Sequence, residues 1–489
     1  MVELLHVLRN WGASHDGRAA MSDDNAALAR GELAARVAGM AEELGDLPQV
    51  IGLLGVNGTD WTVAQLAAWT AGKTVVPLPT FFSLPQLEHV LRDAGVTHVI
   101  ATRDALGLAA TLGVDTTPVF DRCAETFPSP TPGAGVIVYT SGSTGHPKGV
   151  RLSLEQIDWQ ARALASAIQA RECDLHLSVL PLSLLLESIA AICVPVLVSA
   201  RTHFASAIAH SLGTGHPADI CTAFERRQPT TTVLVPQLLA SWIAQLEAQG
   251  VLPPESLRFV AVGGSPVSEM LAARAWELGI PVHEGYGLTE CCSVVAVNRP
   301  GRRKAGTVGE PLPGLDVQIE EGEVVVSGPP VMAGYLHARR IAGQPWRTGD
   351  LGSVDRDGYL CVVGRNDNLL VTSTGRNICP EWVEAIIAVD ARIGACAVLG
   401  HGERHLSVLL IPSPWGERWL MEAPRAHVLL WLEHICIRAP AYAVPKDFVV
   451  CPAAQAKRIG LLTPNGHVVR EAAKQAYPAL KLARRPRAA

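Results

Sequence analysis

The stretch Tyr139–Val150, YTSGSTGHPKGV, sets the frame for the whole chain. Twelve positions hold three glycines, five hydroxyl-bearing residues and one lysine. The run before it, VIVYT, is alternating and β-branched and predicts a strand. A glycine- and hydroxyl-rich turn leaving a sheet edge lets backbone N–H groups converge on an anion, here with donors from Thr140, Ser141, Ser143 and Thr144. Gly142, Gly145 and Gly149 give the turn its freedom, and Lys148 supplies a point charge suited to a polyphosphate. A Walker loop would need glycine at 147 and a hydroxyl at 149; Pro147 and Gly149 stand there instead. The turn, expected to run from Ser141 to Gly149, is a phosphate loop of another kind.

Outward from this turn the N-terminal part alternates strands and helices. VIGLLGVNG, TVVPLP and VTHVIAT read as strands. Between them lie WTVAQLAAWTAG, with Thr59 or Asp60 as its cap, and LPQLEHVLRDAG, capped by Ser83. The rhythm recurs between Ala207 and Pro281, and it predicts an α/β fold of parallel-rich sheets covered by helices. From Gly309 the texture turns to strand and turn, with LDVQIEEGEVVVSG as a hairpin about Gly322, so a β-subdomain is expected. Beyond Arg365 a compact α+β pattern begins: PEWVEAIIAV is a helix behind Pro380, followed by two strands and the helix RAHVLLWLEHICI. The boundary is expected near Asp367, dividing the chain into residues 1–366 and 367–489.

Length and composition bound the function. At 489 residues, 48% hydrophobic and 18% charged, the chain has apolar mass for several cores. A net charge of −5 argues against nucleic acid as a partner. Eleven cysteines without a C-x-x-C spacing suit free thiols in a reducing, cytoplasmic setting. The opening MVELLHVLRNWG lacks the features of a signal peptide. Leu175–Ala200 is the greasiest segment, but Pro181, Glu187 and Pro195 interrupt it, which favours a buried helix flanked by strand over a membrane span.

Three further strings carry candidate chemistry. In HEGYGLTECC, Glu284 to Gly287 lead into Thr289 and Glu290. Tyr286 can stack on a base, Thr289 can donate to a phosphate, and Glu290 can hold Mg²⁺ through a hard oxygen. Taken singly, the string also reads as a strand end with a capped turn. VGGSPVS places Gly263, Gly264 and Ser265 in a tight turn before a helix. WRTGDLG sets Asp350 in a glycine-flanked loop, and a fixed carboxylate is how proteins grip the paired hydroxyls of a ribose. HGERH, His401–His405, lacks zinc-site spacing and reads as a solvated turn. Cys291 and Cys292 read as packed beneath the site.

Together these strings describe base, ribose, phosphate and magnesium contacts, and their order resembles the adenylate-forming superfamily nearly end to end. Within it, VPLPTFFSLPQLEHVLRDAG, LPLSLLLES, EGYGLTE and TSTGRNICPEWVEAII resemble the long-chain fatty acyl-CoA synthetases. The resemblance implies ATP-dependent activation of a carboxylic acid through an acyl-AMP, with Mg²⁺, and transfer of the acyl group to coenzyme A. A carrier-protein thiol or an amine is the alternative acceptor, and a binding protein with little turnover is another reading. It implies triphosphate contacts along 141–149, adenine between Tyr286 and the Gly263–Gly264 turn, and phosphate and magnesium at Thr289 and Glu290. It also implies ribose at Asp350 with help from Arg365, a mobile C-terminal domain swinging about Asp367, and a possible homodimer. One departure stands out: the family's lysine in the loop LTPxxKxxR is His467 here, which loses reach and a permanent charge. A milder one is Leu184, where long-chain relatives often carry histidine.

Overall fold

Helix Thr59–Thr70 is buried along eleven of its twelve residues, so protein must cover it on every side. The cover is two sheets. A computed structural model describes residues 2–140, 148–214, 219–339, 343–373, 375–463, 466 and 468–483. In it, one hydrophobic cluster joins this helix to Ile51 and Val75 of an eight-stranded sheet and to Met21 and Phe204 of a nine-stranded one. The fold is α/β, as the alternating pattern requires, with helices both between and outside the sheets.

The eight-stranded sheet carries Val50–Gly55, Thr74–Pro79 and His98–Ala101 in parallel, extended by Gly135–Thr140. At that edge Gly135–Thr140 pairs antiparallel with Lys148–Ser153, ending with Thr140 opposite Lys148. Lys148 and Gly149 are therefore the start of a return strand, where the sequence suggested loop. The ladder decides this: Leu336 N–H donates to the Gly149 carbonyl at 2.7 Å, so residue 149 is held as sheet. Ser141, Gly142, Ser143, Thr144 and Gly145 lie outside the described residues.

The nine-stranded sheet runs parallel through Leu175–Ser178, Thr231–Leu234, Phe259–Val262 and Val282–Leu288. A four-stranded antiparallel sheet follows, including Asp316–Glu320, Glu323–Ser327 and Trp346–Val354. Its first hairpin turns on Glu321 and Gly322, both at positive φ (52° and 82°), the geometry a two-residue primed turn needs. Leu175–Ala200 forms strand, then a continuous buried helical stretch with a π-turn over Ile189–Cys193, as its interruptions by proline and glutamate suggested.

Two local expectations are corrected. The helix at Thr59 takes its cap from far away: Asp23 accepts from Thr59 N (2.8 Å) and Oγ1 (2.9 Å). Asp350 lies in strand Trp346–Val354 opposite Arg365, because the sheet register extends through the glycines flanking it.

The C-terminal unit has its own core around Val383, Val408, Leu432 and Phe448. Helix Pro380–Ile387 packs on a sheet of Ile393–Leu399, Ser407–Pro412 and Asp447–Val450. HGERH is the turn between the first two of these strands. All eleven cysteines are free, and among the described residues no helix is long and apolar enough to cross a membrane.

Candidate active site

Strand Val282–Leu288 begins parallel and ends antiparallel, pairing with Ser293–Val297 through a register slip at Tyr286/Gly287. A short 3₁₀ turn, Thr289–Cys291, connects them. The chain closes this turn with Cys292 and Ser293 in the left-handed region, at φ 57° and 89°. For non-glycine residues such backbone is costly and marks a place where the surroundings over-determine the conformation. Glycine at 287 is obligatory, since a Cβ there would lie 1.7 Å from the Ser293 carbonyl oxygen.

The strand before this turn presents Tyr286 to one carboxylate, Asp350, and the turn itself carries a second, Glu290. Tyr286 donates its hydroxyl to Asp350 Oδ2 at 2.5 Å. On the other side Arg365 Nη1 reaches Asp350 Oδ1 at 3.3 Å and the Thr348 carbonyl at 3.1 Å. The Asp350 amide donates to Thr348 Oγ1, so backbone and carboxylate are both fixed. Burial pushes the Asp350 carboxyl above its ordinary value, against the pull of Tyr286 and Arg365. Burial likewise raises the Tyr286 phenol, with the Asp350 charge adding to it. The phenol therefore stays a donor, and Asp350 is held in one orientation.

Glu290 is half-buried and accepts from Tyr335 Oη at 2.9 Å, while its carbonyl accepts from Met332 N–H. The Lys148 ammonium sits 5.4 Å from the Tyr335 ring centroid, which is cation–π range. Glu290 is close enough for its charge to act on Asp350, and Arg365 acts on Tyr335. The start of the return strand after residues 141–147, Glu290 and Asp350 thus gather in one region. Tyr335 was not singled out from sequence; it lies in no motif, and its place beside Glu290 comes from pairing with Val150 in the return strand.

A cavity of about 840 Å³ opens beside these groups. Gly263, Gly264, Gly285, Tyr286, Gly287 and Thr289 line it. The wall at Gly263 tolerates no side chain, because a Cβ would lie 2.9 Å from the Gly285 carbonyl oxygen. A flat ring can therefore lie against bare backbone here, and Glu290 offers the hard oxygen a divalent cation prefers. These residues fit a magnesium nucleotide. Ser265 and Glu284 are not among the lining residues. Glu284 is buried, burial and the nearby Glu269 raise its carboxyl to about 8, and its carbonyl accepts from the Asn298 amide.

The C-terminal unit closes the opposite wall with Lys457, Thr463 and Gly466. Lys457 was missed because nothing around it forms a motif. His467 lies outside the described residues. Asp367 is exposed on the short turn Asn366–Asn368 between the two units, and Asn368 Nδ2 donates to Glu381 Oε1 at 2.5 Å. Cys291 and Cys292 are fully buried beneath the site.

The chain matches known proteins over most of its length. The family described as AMP-binding enzyme matches residues 8–336, and its C-terminal domain matches 367–480. A feruloyl-CoA synthase of Amycolatopsis sp is 30% identical, with 86% of this chain and 89% of that protein covered. An indoleacetate–CoA ligase of Aromatoleum aromaticum is 29% identical, over 85% and 88% of the two chains. Among solved structures, an anthranilate CoA ligase in complex with anthranoyl-AMP superposes with a TM-score of 0.81 at 18% identity, covering 98% of this chain and 97% of that one. The o-succinylbenzoate coenzyme A synthetase of Bacillus subtilis in complex with AMP gives 0.79 at 24%, covering 96% and 98%. These relatives are named for aromatic acids, so the finer likeness to long-chain fatty acyl-CoA synthetases is not what they carry. By the match over residues 8–336 and the likeness along nearly the whole chain, this protein belongs to the AMP-binding enzyme family.

Proposed function

We propose that this protein activates an apolar carboxylic acid with ATP and passes the acyl group to coenzyme A. The observation that carries the reading is the meeting of Lys148, Glu290, Asp350 and a glycine-walled groove at one end of an apolar cavity. The names of the relatives, all acid–CoA ligases among those quoted above, support the same class.

In this reading Thr140 and the turn 141–149, with Lys148, receive the triphosphate. Asp350, oriented by Tyr286 and Arg365, accepts the two ribose hydroxyls. Glu290 and Thr289 hold magnesium and the phosphate beside it. The acid lies in the cavity with its carboxylate toward Thr289. Attack on the α-phosphorus forms the acyl–AMP anhydride and releases pyrophosphate; attack by the thiol then releases AMP. Positioning and charge stabilisation carry most of such a transfer. Residues 367–489 form a second domain that swings about Asp367 between the two steps, and Lys457 lends its charge to the first. A cytoplasmic setting suits eleven free thiols.

Pyrophosphate exchange across aromatic and aliphatic acids tests the reading. Exchange with at least one acid, dependent on Mg²⁺, is expected; none with any acid would favour a binding protein. Adding coenzyme A or a phosphopantetheinyl carrier and weighing the product by mass spectrometry then identifies the acceptor. His467→Lys is expected to speed exchange or leave it unchanged.

A further inference from the structure

Phe259, Ala261 and Gly263 all line the cavity, and so do Thr231, Val233 and Val235. Alternate residues of a strand share a face, so the cavity runs along the face of the parallel sheet. Phe259 and Gly263 stand four residue steps apart, which at strand rise is about 13 Å. Opposite that face lie apolar side chains of two helices, among them Leu164, Val194 and Val198.

The end remote from Gly263 changes character. Asp174, His176 and Thr231 line it and are at most 6% exposed. Asp174 is already engaged, taking Arg258 Nε at 2.7 Å and Thr230 Oγ1 at 2.9 Å. His176 Nδ1 lies 3.1 Å from Thr231 Oγ1. Its Nε2 has no hydrogen-bond partner among the described residues, and the carboxylate of Glu187 is 4.0 Å away. Burial lowers His176 to about 4 and raises Glu187 to about 8, so neither is charged to any large extent at neutral pH. A neutral imidazole has one donor and one acceptor nitrogen. Pockets of this kind fix orientation with a few polar groups in an apolar wall.

We infer that the cavity selects an extended acid whose far end carries one uncharged hydrogen-bonding group, such as a hydroxyl, read by His176 and Thr231. This rests on the acid-activating reading above. Among the described residues the end offers no unpaired cation, since Arg258 is taken by Asp174, so a second carboxylate would be desolvated there without a counter-charge.

The test is pyrophosphate exchange with dodecanoate, ω-hydroxydodecanoate and dodecanedioate, and in an aryl arm with cinnamate and p-hydroxycinnamate. The hydroxylated acid of at least one arm is expected to exceed its plain partner about 10-fold in kcat/KM, through KM, and the dioate to fall below both dodecanoates. His176→Leu should erase that ratio. Thr231→Val should narrow it, and it keeps the test open if His176→Leu does not fold. Equal or reversed preference in both arms, or a ratio unmoved by these substitutions, would overturn the inference while exchange itself upholds the ligase reading. Absence of exchange with every acid would remove that reading and this inference together.

Discussion

The two ends of the cavity are built by different means. At the mouth, bare backbone and anchored charge do the work: glycines at 263 and 287 that admit no side chain, and Asp350 clamped between Tyr286 and Arg365. At the far end the wall is side-chain shape, with two uncharged polar groups set into it. On the proposed function the mouth holds an invariant ligand and can be rigid, whereas the chamber chooses among acids and must be shaped by side chains. Changes at the mouth should therefore cost activity toward every acid, and changes in the chamber should redistribute preference.

Gly287→Ala is the severest way to try this contrast. Its Cβ would collide with the Ser293 carbonyl, displacing the turn that carries Thr289 and Glu290. A displacement near 1 Å is enough for about a 100-fold loss, and exchange should fall by at least that much with all acids alike. Near-normal rates would show that the mouth is not limited by backbone.

Next is Asp350→Ala. Loss of a preorganised contact of this kind costs about 100-fold, expected in kcat/KM for ATP, with the KM of the acid little changed. A matching rise in the KM of the acid would blur the division between the two ends.

Glu290→Gln should demand roughly 10-fold more Mg²⁺ for half-maximal exchange, and Tyr335→Phe a smaller increase in the same direction. A magnesium titration reads both, and an unchanged curve for Glu290→Gln would remove the metal from that carboxylate.

The smallest effect concerns stability beside the chamber. Folded Glu187 keeps its proton to about pH 8, while its ordinary value is 4.5. Burial thus favours the folded state at low pH, and that contribution is lost as pH rises through the interval. Glu187→Gln should flatten the fall in Tm across this range. An unaltered slope in thermal melts would mean that Glu187 is ionised in the fold.

Legibility follows the same division. Ser83 was found at its helix start because its partner, Gln86 Oε1, is three residues away and accepts from the Ser83 amide at 2.9 Å. The cap of Thr59 was not, because Asp23 is thirty-six residues off. Tyr286, Thr289 and Glu290 stood in one string, whereas Tyr335 joined them only through sheet pairing. Lys148 and Asp350 were both read as loop and proved to be strand, since glycine weakens the local signal that register then overrides.

Sequence alone determined the α/β alternation and the short strings at the mouth, because period and turn chemistry act over a few residues. Tertiary structure alone decided that two sheets share their helices and that His176, Thr231 and Phe259 meet at the end of one long cavity. Those residues are separated by dozens of positions, and only the strand order, set by burial and pairing across the whole sheet, brings them side by side.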